Sequence, residues 1–407
     1  MNERRFLCLV ALAATIAGLL APAAASAQAC TELGPRVVIG AGGSASRPLL
    51  ARLAAALRTL PEPIYLVYQA PGACYGITPY IDGGAPITGT ANYWDADRTQ
   101  RTCTLPVTGL VPDFGMMGTA ATLCPDVDAL PDGIGDFSGP ITSWSLIVPT
   151  ASAQQVISEE AGYFVYGFGP TAGMVTPWND PAHIWGRNAT SAALIALSLA
   201  FGLTPERVAA NFTGAFADHD VVTNDRMIVE VAAGTTRGAA DATLGFASTE
   251  QADAARDRVR TLAYQARGQE CGYWPDSSAT AFDKQNVRDG HYFLWSAYHF
   301  YTPVDASGAI TDADTREVVG NFTGDVALPE EVPLLDIIIA NGNIPECAMQ
   351  VWRDADMGPL YSYVPDEPCS CYYEFAATGS TSCTACDDAT DCAAPGAACR
   401  HGYCEVQ

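Results

Sequence analysis

Near the start of the chain, apolar positions change from the spacing of a strand to that of a helix and back. Residues 36–40 (Arg-Val-Val-Ile-Gly) predict a short buried strand. From Ser46 to Leu60, leucine and alanine recur at helical spacing behind Pro48, which predicts an amphipathic helix. Residues 64–68 (Ile-Tyr-Leu-Val-Tyr) predict a second strand. Strand, helix and strand in this order indicate a parallel sheet and an α/β fold.

Farther along, apolar segments alternate between the two types without an internal repeat. We predict strands at residues 141–148 and 243–247, and helices at residues 191–201, from 204, from 224, at 287–301 and at 330–340. The predicted helix at 287–301 carries an aromatic stripe, which packs in a core or, alternatively, forms a wall for an organic ligand. Residues 83–136 are rich in Gly, Pro, Thr and Asp and predict loops and a hairpin, with Cys103 and Cys124 as a candidate disulfide.

The N-terminus predicts export. Arg4 and Arg5 precede an apolar run, and small residues follow up to Cys30, so we assign residues 1–29 to a secretory signal peptide. No later segment is long and apolar enough to span a membrane, so we expect a soluble protein that is periplasmic, secreted or at the cell surface. The alternative is lipidation of Cys30, which would be the only link to a membrane.

Cysteine usage fits an oxidising compartment. Of 14 cysteines, only Cys8 lies in the predicted signal, which leaves an odd 13; either Cys30 is lipidated, or one cysteine is free or pairs between molecules. Seven cysteines fall from Cys369 onward, where large apolar residues are few. Residues 366–407 therefore predict a tail held by disulfides, and we favour disulfides over zinc for the closely spaced Cys383 and Cys386.

Charge and motif content exclude several functions. A net charge of −24 disfavours nucleic acid and anionic membranes as partners. The sequence has no recognisable nucleophile–base set and no metal-ligand motif. We therefore predict a protein that is not an enzyme and that has no cofactor and no metal.

The turn after the first strand is a candidate anion site. Gly42 and Gly43 let a ligand approach the backbone, and Ser44 and Ala45 lead into a helix whose amino-terminal end is positive. The Ser44 hydroxyl adds one more donor. These four residues predict contacts to a small anionic ligand, and the alternative is an ordinary strand-to-helix turn.

Three segments in order resemble the phosphate-binding proteins of ABC importers. Residues 39–44 (Ile-Gly-Ala-Gly-Gly-Ser) resemble the family's G-A-G-x-[ST] loop, and residues 178–184 (Trp-Asn-Asp-Pro-Ala-His-Ile) resemble its W-N-D-P-A-I segment. Asn224-Asp225 and the later Leu244-Gly245-Phe246 resemble its N-D-x-V helix and the strand that follows. The resemblance covers about residues 35–300.

The resemblance implies the type II periplasmic-binding-protein fold, in which two α/β lobes joined by crossing strands hold the ligand in a cleft. Residues 30–140 with 255–365 would form lobe one, and residues 141–254 lobe two. It also implies a second cluster of ligand contacts at Arg187, Thr190 and Ser191, where the family has an arginine followed by a G-S-G-T turn. A guanidinium and two hydroxyls suit an oxyanion, and the alternative is a helix cap.

Two departures from the family concern the ligand. Ala73 stands where the second loop has a serine, and Met116-Met117-Gly118 stand where the third loop has Ala, Ser and an aspartate that accepts the ligand's proton. An alternative alignment of the third loop on residues 89–92 also lacks these groups. Weak phosphate binding, another ligand and no ligand therefore all stay open.

We expect a solute-binding protein that captures phosphate or a phosphate-like anion for an ABC permease. The alternative function is a secreted or surface interaction protein that keeps the scaffold without transport.

Overall fold

The computed structural model describes residues 28–169, 175–214, 219–221, 223–323 and 332–406. Its α-helices are α1 (Arg47–Leu57), α2 (Glu159–Phe168), α3 (Ala192–Ala200), α4 (Pro205–Thr213), α5 (Asn224–Ala232), α6 (Thr249–Asp253), α7 (Gln285–Arg288), α8 (Ala313–Thr323), α9 (Leu334–Asn341) and α10 (Ser370–Thr378). Its strands are β1 (Val37–Gly42), β2 (Tyr65–Gln69), β3 (Thr90–Trp94), β4 (Gln100–Thr104), β5 (Phe114–Met117), β6 (Ile134–Pro149), β7 (Val156–Ser158), β8 (Gly245–Ser248), β9 (Val259–Thr261), β10 (Ala263–Gln265), β11 (Trp295–Pro303), β12 (Val351–Trp352), β13 (Tyr361–Ser362), β14 (Ala397–Arg400) and β15 (Tyr403–Val406).

Nine strands form the main sheet, in the order β4-β3-β2-β1-β5-β11-β6-β8, with β9 also paired to β6. Strand β1 is parallel to β2 and to β5, as the opening strand–helix–strand pattern predicts. The long strand β6 runs through two parts of the main sheet. Its first part pairs with β11, and its last part pairs with β8 and β9. The predicted lobe boundary at residues 140 and 141 falls inside this strand.

Helices cover the sheet in two places. Helix α1 buries Leu49, Leu50 and Leu53 in a core with Val38 of β1 and Phe114 of β5. Helix α3 is almost wholly buried, because its Ala-Leu-Ile-Ala-Leu sequence is apolar on all sides, and it ends before Gly202 at φ +67°. The α/β class and the disulfide-rich C-terminal tail are confirmed.

The prediction of a helix at residues 287–301 is wrong. Helix α7 ends at Arg288, Gly290 takes a positive φ of +84°, and the aromatic residues from Trp295 onward form β11. Strand β11 lies between β5 and β6 with both faces covered, so its run of apolar residues shows no alternation that would mark a strand. The helix predicted at 330–340 is present as α9, and the start of that prediction lies outside the described residues.

Six disulfides tie the described part of the chain, and their pairing corrects two expectations. Cys103 bonds to Cys30 and Cys124 to Cys74, so Cys103 and Cys124 are not partners. The Cys30 sulfur that lipidation requires is in the first of these bonds, so lipidation of Cys30 is contradicted. Cys347–Cys369 anchors the tail to the body, and Cys271 is exposed and free, which accounts for the odd number.

The disulfide-rich tail consists of α10 and the hairpin of β14 and β15. Three further bonds hold it, Cys371–Cys383, Cys386–Cys399 and Cys392–Cys404. The buried Glu405 accepts hydrogen bonds from the backbone N–H groups of Cys371 and Tyr372, which joins the hairpin to the first turn of α10.

Almost all of the predicted signal peptide lies outside the described residues. Among the described helices, none alone has the length and hydropathy to cross a membrane; α3 and α4 reach that threshold only as a pair bent by 115°.

Candidate functional site

The predicted glycine-rich turn lies where β1 and β5 end side by side. Gly42 takes φ +148°, and a Cβ there would lie 2.0 Å from the Met116 carbonyl oxygen, so only glycine fits. The next residue, Gly43, donates its backbone N–H to the same oxygen at 3.2 Å. A 3-10 turn at Ser44–Ser46 then leads into α1.

The facing wall comes from residues more than a hundred positions away. Arg187 is 5% exposed, and its Nη1 donates to Asn224 Oδ1 at 2.8 Å. Burial lowers the pKa of Arg187 to about 10, while nearby Asp220 acts in the opposite direction, so the guanidinium stays charged at neutral pH. Ser191 precedes the first residue of α3 and makes no side-chain capping bond to the described residues.

These two walls line a cavity of about 20 Å³, counted as the space open to the centre of a water-sized sphere. A cavity of this size has room for about one water-sized group, so it admits only a small ligand. Its lining includes five of the predicted site residues, namely Gly43, Ser44, Ala45, Arg187 and Ser191. The structure thus brings together the two clusters that the sequence placed far apart.

Gly42 and Thr190 are the two predicted residues that do not line the cavity. Gly42 allows β1 to approach β5, as described above. The Thr190 hydroxyl donates to Asn188 Oδ1 at 2.8 Å, and its carbonyl accepts from the backbone N–H of Cys74 at 3.1 Å. Thr190 therefore links the segment that carries Arg187 to the turn at Ala73–Gly76.

Ser46, Asn224, Tyr298 and Trp144 also line the cavity, and none of them was among the predicted contacts to a small anion. The hydroxyls of Ser44, Ser46 and Tyr298 are buried and form no hydrogen bond with the part of the chain that the structure describes. A buried hydroxyl without a partner is costly, so a bound oxyanion would supply acceptors to all three. Tyr298 belongs to the aromatic run that was predicted as a helix.

Ala73 and Gly118, the two departures from the resembled family, both line the cavity. A Cβ at Gly118 would lie 2.7 Å from Trp144 Cζ2 and 3.0 Å from Trp144 Cη2. The indole therefore occupies the space that a side chain at position 118 would need.

Helix α6 forms hydrogen bonds with the Ser44–Ser46 turn through the side chain of Gln251. Gln251 Nε2 lies 3.3 Å from the carbonyl oxygens of Ser44 and of Ala45 and donates to them. Its neighbour Glu250 is buried, with neither carboxylate oxygen bonded within the described residues. Burial raises the pKa of Glu250 to about 7, and the nearby Asp253 acts in the same direction.

A wider groove lies between the tail and residues 283–289, but the described residues that line it contribute no buried polar side-chain atom without a hydrogen-bond partner. Of these two, the smaller cavity is therefore the better candidate for ligand binding.

Comparison with known proteins identifies the fold. No protein-family model and no curated protein matches the sequence. Among solved structures, a protein from Clostridium perfringens described as a phosphate ABC transporter substrate-binding protein with bound phosphate aligns with a TM-score of 0.50. The alignment covers 76% of this chain and 99% of that protein at 14% identity. The chain has the fold of this binding protein.

A phosphate transport receptor from Vibrio cholerae aligns with a TM-score of 0.46 and 16% identity, over 75% of this chain and 99% of its own length. The likeness to the Clostridium perfringens protein confirms the fold predicted from the three sequence segments, and at 14% identity it concerns the fold alone.

Proposed function

We propose that this chain is an exported solute-binding protein that captures a small oxyanion, phosphate or a phosphate-like ion, for an ABC importer. The observation that carries the proposal is the buried Arg187 facing the Ser44 turn across one small cavity. A buried cation of this kind favours an anion close by, because burial removes the water that would otherwise solvate it.

Two helix ends add to the positive potential of the cavity. The turn before α1 and the first residues of α3 both line it, and the amino-terminal end of a helix carries a partial positive charge. This local field works against the net charge of −24, which repels anions at long range. The site therefore binds an anion through contacts at short range.

The domain arrangement belongs to the same proposal. Residues 30–140 and 255–365 form lobe one, residues 141–254 form lobe two, and the ligand is held where the lobes meet. Binding stabilises the closed arrangement, which the permease then recognises outside the cytoplasm. The signal peptide at residues 1–29 directs export.

Thermal unfolding in the presence of phosphate and of sulfate tests the proposal. A ligand well above its Kd raises Tm by mass action, and we expect this for at least one of the two ions. Ser44→Ala and Arg187→Gln should each weaken binding about tenfold or more, since each removes a hydrogen bond to a charged ligand. Arg101→Gln, at an exposed arginine paired with Asp95, is the matched control and should leave binding unchanged.

No rise in Tm with any small anion would refute the proposal and favour the surface interaction protein instead.

A further inference from the structure

The side chains of the cavity offer hydrogen-bond donors and no ionised acceptor. Arg187 has only N–H groups, and the hydroxyls of Ser44, Ser46 and Tyr298 are all open to donate. Asn224 is the one described lining residue with a side-chain carbonyl, and that oxygen already accepts from Arg187 at 2.8 Å. Its amide nitrogen donates to Ser248 Oγ at 3.2 Å. The cavity is thus built for a ligand that only accepts.

Trp144 keeps an acidic side chain out of this cavity. The indole is 1% exposed, and its Nε1 donates to Ser296 Oγ at 3.3 Å, while its backbone carbonyl accepts from the Tyr292 hydroxyl at 2.6 Å. Held in this way, it lies where a carboxylate at position 118 would have to extend. Ala73 lies beside Gly43 in the lining, and its methyl side chain adds no polar atom to the cavity.

Two acidic residues that act on the lining stand outside it. Asp220 acts on Arg187 and Glu250 lies behind the wall beside Tyr298, but neither borders the cavity. The negative charge of Asp220 acts through the wall, and a proton carried by a ligand in the cavity has no carboxylate among the described lining residues to receive it.

We infer that the site, if it binds an oxyanion as proposed above, selects a tetrahedral oxyanion that carries no proton, of the sulfate class, over phosphate. At neutral pH phosphate retains at least one O–H group, and a buried O–H that meets only weak neutral acceptors loses much of its hydrogen bonding with water. Sulfate has only acceptor oxygens and matches the donors of the cavity. The lack of a carboxylate acceptor among the described lining residues, rather than the cavity's size, sets the selectivity.

Isothermal titration of the wild-type protein with four ions tests this inference. Sulfate and selenate carry no proton at neutral pH, whereas phosphate and arsenate do, and each pair contains one smaller and one larger ion. We expect sulfate and selenate to bind at least about tenfold more tightly than phosphate and arsenate. Selectivity that followed ion size instead of protonation would overturn the inference.

The outcomes separate this inference from the proposed function. Equal or tighter binding of phosphate and arsenate overturns the selectivity but leaves an oxyanion-binding protein. Binding of none of the four ions overturns both.

A pair of variants tests the part played by Trp144. Trp144→Ala combined with Gly118→Asp opens the space and supplies a carboxylate, and the ratio of sulfate to phosphate affinity should then fall by about tenfold or more. Trp144→Ala alone adds no acceptor and should keep the wild-type ratio. An unchanged ratio in a folded double variant counts against the inference, and the four-ion titration decides the case if the double variant does not fold.

Discussion

Arg47 and Asp225 form an ion pair, 2.8 Å between Nη2 and Oδ2, that connects helix α1 with helix α5. Arg47 directly follows the Ser44–Ser46 turn, and Asp225 directly follows Asn224, the hydrogen-bond partner of Arg187. The pair therefore joins the two walls of the cavity next to the residues proposed to hold the ligand.

Replacing Arg47 with alanine should speed ligand release more than it lowers stability. The pair is partly exposed, so its loss should change the free energy of unfolding by less than about 1 kcal/mol. The dissociation rate of a bound anion, measured by stopped flow, should rise a few-fold at low salt and converge with wild type at high salt. The Arg101→Ala variant removes an ion pair within one hairpin and should release ligand at the wild-type rate. An unchanged rate in Arg47→Ala would show that the pair plays no part in holding the walls together.

Adjacent glycines in the anion turn should respond very differently to alanine. A Cβ at Gly42 would lie 2.0 Å from the Met116 carbonyl oxygen, at a φ of +148° that side chains rarely adopt. A Cβ at Gly43 meets only Ala73, at 3.6 Å. We expect Gly42→Ala to lower the free energy of unfolding by about 2 kcal/mol or more and Gly43→Ala by less than about 1 kcal/mol, as measured by urea denaturation. Equal losses would contradict the geometry of the turn.

Glu250 should make the protein less stable as pH rises. Its pKa is about 7 in the folded protein and 4.5 when unperturbed, so between these values the folded chain binds more protons than the unfolded chain. The stability that this bound proton confers is complete below about pH 4.5 and is lost as pH rises through about 7. Relative to Glu250→Gln, wild type should therefore lose roughly 3 kcal/mol across that range.

Urea denaturation of wild type and Glu250→Gln at several pH values measures this difference. The exposed Glu206→Gln serves as control, and its curve should run parallel to that of wild type. A constant difference between wild type and Glu250→Gln would contradict the raised pKa.

Lys284 should be among the most sensitive charged residues. Its Nζ lies 2.6 Å from Asp253 Oδ2 and 2.8 Å from Asp276 Oδ1, and all three side chains are buried. Lys284→Met leaves two buried carboxylates with one fewer cation, so we expect a loss of about 3–5 kcal/mol in urea denaturation. Arg258→Met breaks only the exposed pair with Asp257 and should cost less than about 1 kcal/mol. Arg256 also pairs with both acids, at 2.7 Å from Asp253 Oδ1 and 2.9 Å from Asp276 Oδ2. A loss for Lys284→Met no larger than that of the control would show that Arg256 alone balances both acids.

Local motifs were enough to predict the fold and part of the candidate site. The strand–helix–strand pattern and the glycine turn depend on neighbouring residues, and Arg187 stands next to a recognisable segment. Tyr298 and Trp144 reach the cavity only because β11 lies between β5 and β6, an order that no local pattern encodes. Burial also prevented the recognition of β11 as a strand. A strand covered on both faces shows no alternation of polar and apolar residues with a period of two.

The disulfide pairing could not be predicted from the sequence for a related reason. Spacing along the chain suggested Cys103 with Cys124, whereas the true partners are brought together by strands and turns that are far apart in sequence. Even the loss of polar groups at Ala73 and Gly118, which the sequence does reveal, could not predict that an indole fills the space.

The interleaved disulfides have a consequence for biosynthesis. Cys74 lies between Cys30 and Cys103, and Cys103 lies between Cys74 and Cys124, so the two bonds overlap along the chain. A chain that oxidised its cysteines in order of emergence would join Cys30 to Cys74 and trap a non-native loop. Maturation therefore requires that oxidation wait until β1, β4 and β5 have assembled, or that a thiol–disulfide isomerase correct the early bond.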